Sequence, residues 1–260
     1  MKSLFAAHRK ILIGVVHLKP LPGSPRWRGN LEKIIELAVN DARAYERGGA
    51  NAVFIENFGD VPFTKSNVGP EVIAAMTAAG RAIRAAVKLP IGFNVLRNDA
   101  KAALALCAAC GGSFVRINVH TGAMLTDQGL IEGAAHETLR YRQQICPGAA
   151  IIADVHVKHA VPLGDWPIED AARDTLERGL ADALVVSGTG TGEAADISDV
   201  ERVRRACPTA KILLGSGVMI ENVQKYSRAD GFIVGSSLKR DGKLSNPVDA
   251  KRVAALVRKL

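Results

Sequence analysis

Residues 149–158 read Ala149-Ala150-Ile151-Ile152-Ala153-Asp154-Val155-His156-Val157-Lys158. The run is short, apolar and β-branched at its start, as a buried strand should be. Strand alternation then puts Asp154, His156 and Lys158 on one face and Val155 and Val157 on the other. The apolar face needs a helix over it. The charged face needs an opening. A closed barrel of parallel strands, ringed by helices and open at one end, supplies both.

Working outward, similar runs fall near 11–18, 50–57, 90–97, 113–120, 183–188, 211–217 and 231–237, with helical runs between them and a last helix near 247–259. Eight strand–helix pairs average about 32 residues, the size of one βα unit. Asn30 can cap a helix starting at Leu31 and Gly48-Gly49 can end it; Ile34, Leu37, Ala38 and Ala42 make its apolar stripe. Asn246-Pro247 reads as a cap and first-turn proline for the final helix. Strands two, six and eight open with Ala50-Asn51-Ala52, Ala181-Asp182-Ala183 and Ala229-Asp230-Gly231. Strands three, five and seven follow Pro90, Pro147 and Pro208, which suggests a repeating (βα)₂ unit. The expected fold is one α/β domain spanning 1–260, a (β/α)₈ TIM barrel. A doubly wound open sheet competes, but His17-Leu18-Lys19-Pro20 follows the first strand where that fold carries G-x-G-x-x-G.

Composition agrees. The chain has 260 residues, 48% hydrophobic and 23% charged, which excludes a disordered chain or a small disulfide scaffold. Its net charge of +8 comes from scattered basic residues without interleaved aromatics, so no nucleic-acid partner is expected. Cys107 and Cys110 form a lone CxxC in an Ala-rich run; with Cys146 and Cys207 they read as buried free thiols. Met1 to Lys10 lacks a signal-peptide core and no run approaches the roughly 20 residues of a membrane span, so a cytoplasmic protein is expected.

In such a barrel the ends of the strands build the site. The candidate catalytic residues are Asp154 and Lys158 from strand five, Arg116 and Asn118 from strand four, Glu56 from strand two and His17 from strand one. His120 shares the Arg116 face. Asn57 has the opposite parity to Glu56, so only one of the two points inward. Asn94, Asp127 and Ser187 are candidate substrate contacts, and Arg97-Asn98-Asp99 adds polar groups above the mouth. Each has a plainer reading as an ion-paired packing element. His159 stands one step off the inward face, and His8 and His136 read as surface residues.

Glycines give a second signal. Gly215-Ser216-Gly217 ends strand seven and Gly235-Ser236 ends strand eight. Loops there carry the phosphate site of many barrels, because glycine lets backbone N–H groups approach an anion. A short helix after Ser236 is expected to add its positive end. Valine at Gly217 is expected to block that approach while leaving the core intact. Ser187-Gly188-Thr189-Gly190-Thr191-Gly192 is a third flexible polar loop without the lysine of a P-loop. Phe58, Val61, Pro62 and Phe63 form an apolar loop that either caps the site or makes a homo-oligomer interface; a homo-oligomer is expected.

The stretches 14–23, 56–63, 94–99, 114–119, 126–129, 153–159, 187–192 and 215–218 together resemble the BtpA family, which includes SgcQ-like proteins, over nearly the whole chain. The resemblance implies a barrel of the ribulose-phosphate-binding group and, as a named role, photosystem I biogenesis. It supplies no reaction and no catalytic residue. His156 departs from the usual pattern of the family. Three functions follow for weighing. The first is an enzyme acting on a small phosphorylated metabolite such as a sugar phosphate or nucleotide-derived compound, with Asp154 and Lys158 as an acid/base pair or Lys158 as a Schiff-base amine, and with no cofactor. The second is a non-catalytic assembly factor for a membrane complex. The third is a metal-dependent hydrolase using His17, Glu56, Asp154 and His156.

Overall fold

The structure, a computed structural model, describes residues 10–188 and 190–260. The expectations for His8 and for the segment ahead of Lys10 lie outside those residues, as does Thr189.

Eight parallel strands close into a barrel: β1 (Ile11–His17), β2 (Ala52–Glu56), β3 (Ile91–Asn94), β4 (Phe114–Ile117), β7 (Ala150–Val155), β9 (Ala183–Val186), β10 (Ile212–Leu214) and β11 (Gly231–Val234), with β11 pairing back onto β1. The helices around it are α1 (Leu31–Arg47), α2 (Pro70–Ala86), α3 (Ala100–Cys110), α4 (Ala135–Ile145), α5 (Ile168–Arg173), α6 (Ile197–Ala206) and α7 (Ala250–Val257). The closed barrel is the expected (β/α)₈ fold, and the open sheet is excluded.

Side-chain parity divides the core in two. Ile11, Ile13, Phe54, Phe114, Ile152 and Leu213 fill the barrel interior, whereas Val115, Ile117, Ala153 and Val155 pack outward against the helices. Gly92 belongs to the interior layer because a Cβ there would stand 2.1 Å from the Phe114 ring.

The repeat seen in the sequence has a physical cause. Ahead of β2, Asn51 donates its N–H to Leu12 O and accepts the Leu12 N–H on Oδ1 at 2.8 Å. Asp182 forms the same two-bond ring with Ile151, and Asp230 with Ile212. Each ring clamps the N-terminal end of one strand to the strand before it. Ser113 makes the backbone half of the ring with Ile91. The clamps therefore recur every second strand, as a (βα)₂ unit requires.

Local chemistry sets the helix ends. Asn30 Oδ1 accepts from Lys33 N, and Gly49 takes φ +86° just past α1. Three details differ from expectation. The cap of the last helix is Asp249, whose Oδ1 accepts from Lys251 N; Asn246 instead donates to Arg240 O. Between β10 and β11 only a single 3₁₀ turn, Val223–Lys225, replaces a helix. The third is an addition: β5 (Ala123–Thr126), β6 (Gly129–Glu132) and β8 (Ala160–Pro162) form a small antiparallel sheet over the mouth. The cysteines are free and largely buried, with burial pushing the Cys107 thiol up to about 12.

Candidate active site

The strand ends that close the interior form two halves. His17, Glu56, Asn94, Arg116 and Asp154 project long polar groups from five strands. Ser187, Gly215 and Gly235 continue the same inward parity on the other three. Their smallness leaves room: a Cβ on Gly235 would stand 2.4 Å from His17 Cε1, and one on Gly215 would stand 2.7 Å from Ser187 Oγ.

Arg116 and Asp154 form a bidentate pair. Nε donates to Oδ1 at 3.0 Å and Nη2 to Oδ2 at 3.0 Å. Asn118 Nδ2 donates to the same Oδ2 at 2.7 Å. Asn94 Nδ2 donates to Arg116 O and Asn118 Oδ1. Burial alone would depress the Arg116 guanidinium, but the charge and hydrogen bonds of Asp154 outweigh it and push its pKa up. Both Asp154 oxygens are thus engaged, and neither Asp154 nor Asn94 reaches the main cavity walls. They hold Arg116 and Asn118, which do reach them.

Above this network lie two lobes, each of about 390 Å³, with Glu56, Arg116, Lys158 and Thr191 as common wall. The first lobe is bounded by Gly215-Ser216-Gly217, by Gly235-Ser236-Ser237, by His17 and by Arg252. The second is bounded by Phe58, Val61, Phe63, Leu96, Arg97, Asn118, Asp127 and His159. The apolar loop after β2 is therefore a wall of the site through Phe58, Val61 and Phe63.

The wall shared by the lobes carries groups of shifted acidity. Burial raises the Glu56 carboxyl, against the opposing pull of Lys158 and Arg116. Burial, then Arg116, lowers the Lys158 ammonium, with Glu56 and Asp154 pulling the other way. Lys158 makes no hydrogen bond or ion pair through its ammonium with any described residue. Burial, with Lys239 and Lys158 adding to it, holds His17 well below its ordinary 6.5, so its 4.0 Å approach to Glu56 joins a neutral ring to a carboxyl group.

The glycine loops behave partly as expected. Ser236 leaves its hydroxyl without a partner among the described residues, whereas Ser216 Oγ donates to Gly190 O and Ser237 Oγ to Val218 O. Ser187 stands behind Gly215 with its Oγ buried and unpartnered among the described residues. The helix after Gly235 is one 3₁₀ turn, Ser236–Leu238, which offers amides but is too short for a macrodipole. Gly217 takes φ +63° and its Cβ would stand 2.3 Å from the Ala194 backbone. Valine there would wreck the loop itself, so the expectation of an intact Gly217→Val protein is corrected.

Other residues go elsewhere. His156 takes φ +51°, which breaks the alternation at the end of β7 and turns the ring toward Trp166, 6.0 Å away. His120 is buried against Gly179 O. Asn57 bonds Leu96 and Asp60, leaving Glu56 as the inward residue of that pair. Asn98 clamps the backbone of Val119, and Asp99 caps α3. His17, Glu56, Asp154 and His156 are not brought together, and no group of three or more His, Cys, Asp or Glu side chains fit to hold a metal occurs among the described residues. The sequence reading missed Arg252, and it named Arg97 without giving it a role. Nothing in the sequence separates Arg252 from its basic neighbours, because only the docking of α7 brings it to the first lobe.

No described helix is long and apolar enough to cross a membrane. Among solved structures, the thiamine phosphate pyrophosphorylase of Pyrococcus furiosus matches with TM-score 0.58 and 14% identity, over 96% of this chain and 95% of that one. Such a likeness shows the barrel fold alone. Sequence relatives are much nearer. The photosystem I biogenesis protein BtpA of Synechocystis is 47% identical over 97% of this chain and 88% of its own length. An uncharacterized protein of Pyrococcus furiosus is 48% identical over 96% of this chain and 94% of its own. The BtpA family profile matches residues 8–260, and with that span matched the chain belongs to the BtpA family.

Proposed function

We propose that this protein is an enzyme acting on a small phosphorylated metabolite, a sugar phosphate or nucleotide-derived compound, by acid–base chemistry at the mouth of the barrel. The observation that carries the reading is the first lobe. Its glycine-lined loops from β10 and β11, the Ser236 hydroxyl, unpartnered among the described residues, and Arg252 surround a space next to Glu56 and Lys158. Backbone amides and a guanidinium are the donors a tetrahedral anion takes. Glu56, whose carboxyl pKa is raised by burial, and Lys158, whose ammonium pKa is lowered by burial, are suited to hand a proton to and from a substrate. Arg116, fixed by Asp154, which Asn118 holds in turn, stabilises negative charge developing on the reacting atoms. The named pyrophosphorylase, a barrel of the same architecture, carries a phosphate compound in its name. A cytoplasmic location and self-association belong to the same reading.

The biogenesis role borne in the name of the Synechocystis relative supports a second reading, an assembly factor without chemistry. A protein that only docks has no use for a buried lysine whose ammonium has no partner among the described residues, lining the same cavity as a buried glutamate, and those groups favour the enzyme.

Inorganic phosphate tests the reading. Saturating phosphate should raise the thermal midpoint, by about 2.7 kcal/mol of stabilisation at a hundredfold excess over Kd. Arg252→Met should fold and lose most of that gain. A wild type indifferent to phosphate would sink the phosphate reading.

A further inference from the structure

The second lobe contains a guanidinium that forms no ion pair with any carboxylate of the described residues. Arg97 is only 4% exposed. Its Nη2 donates to Lys158 O at 2.6 Å, and its Nε is buried with no partner among the described residues. It forms no ion pair with a described carboxylate: Asp154 and Asp127 act on it only through space, and Asp154 is already bonded to Arg116 and Asn118. A buried guanidinium without a carboxylate is costly, and proteins keep one where a ligand completes it.

We propose that Arg97 binds a carboxylate of the substrate, so that the site takes a phosphorylated carboxylic acid with its phosphate in the first lobe and its carboxylate in the second. This rests on the phosphate reading above and narrows it to a substrate class. The planar fork of Arg97 matches a carboxylate. The second lobe has no glycine or serine in its wall, so it lacks the amide cradle that a second phosphate would use. Asp127 and Glu56 line the same space, and neither forms an ion pair with Arg97. The carbon skeleton between the two anionic ends then lies across Glu56 and Lys158, with Phe58 and Phe63 against its apolar side.

The experiment is calorimetric titration with matched pairs of increasing length: 3-phosphoglycerate against glycerol 3-phosphate, 4-phosphoerythronate against erythritol 4-phosphate, and 6-phosphogluconate against glucitol 6-phosphate. For the length that fits, the acid should bind about ten- to a hundredfold tighter than its polyol. Arg97→Met should abolish that advantage and leave the polyol phosphate unchanged. Arg97→Lys should keep part of it, because charge survives and the fork does not. The thermal midpoint of the ligand-free Arg97→Met protein should equal or exceed the wild type. The proposal is overturned if no acid outbinds its polyol, or if Arg97→Met retains the preference. It is equally overturned if that variant is less stable with binding intact, which would mark a structural guanidinium. If neither acids nor polyol phosphates bind, the phosphate reading itself fails, an outcome distinct from binding without preference.

Discussion

Charged groups at the mouth are of two kinds, those that hold other groups and those left open to a ligand. Asp154 is wholly of the first kind and Lys158 of the second, while Arg97 holds Lys158 O with one nitrogen and keeps its Nε without a partner among the described residues. Alternation along the strands gave the directions of Glu56, Arg116 and Asp154 correctly, because parity is a local property. It could not give partners. Arg116 lies opposite Ile152, one inward step from Asp154, and that register is a property of two strands 38 residues apart. His156 failed for a local reason that alternation cannot foresee, a left-handed residue at the strand end. His17 offers a pH test. Its folded pKa lies below 6.5, so the unfolded chain binds the proton more readily. Its contribution is present above pH 6.5 and is lost as pH falls. Replacing it by Asn should flatten the fall in thermal midpoint between pH 7.5 and about 5. An unchanged slope would place the acid sensitivity in another group.

At the scale of elements, strand number and order were readable from 149–158 and its counterparts, since buried parallel strands are short apolar runs bounded by turns. The small sheet of β5, β6 and β8 was not readable. Its strands have three or four residues, too few for a pattern, and only the Thr126–Gly129 turn, with Gly129 at φ +86°, marked it. The 215–230 segment forms only the single 3₁₀ turn Val223–Lys225 where a helix is expected. The repeated Ala-Asn-Ala and Ala-Asp-Ala openings proved to be backbone clamps. Removing one side chain leaves a strand amide without its acceptor. Asn51→Ala should therefore cost about 1–2 kcal/mol in denaturant unfolding, with phosphate binding at the far end of the barrel unchanged. A loss of phosphate binding in parallel with stability would show the two ends to be coupled.

Across the molecule, three apolar clusters differ greatly in size. The barrel interior and the layer between strands and helices hold most of the buried side chains, whereas Val119, Met124, Ile131 and Val157 alone underlie the antiparallel sheet. Leu125 and Val161, paired across that sheet, are more than half exposed. Amides of β5, β6 and β8 should accordingly exchange with deuterium well before those of the eight barrel strands. Uniform protection would mean that the sheet unfolds only with the whole. The clamps sit where the strands begin, and every group assigned to the ligand sits where they end. Damage to a clamp should therefore be felt as lost stability at one end of the barrel, while the cavity at the other end keeps its walls.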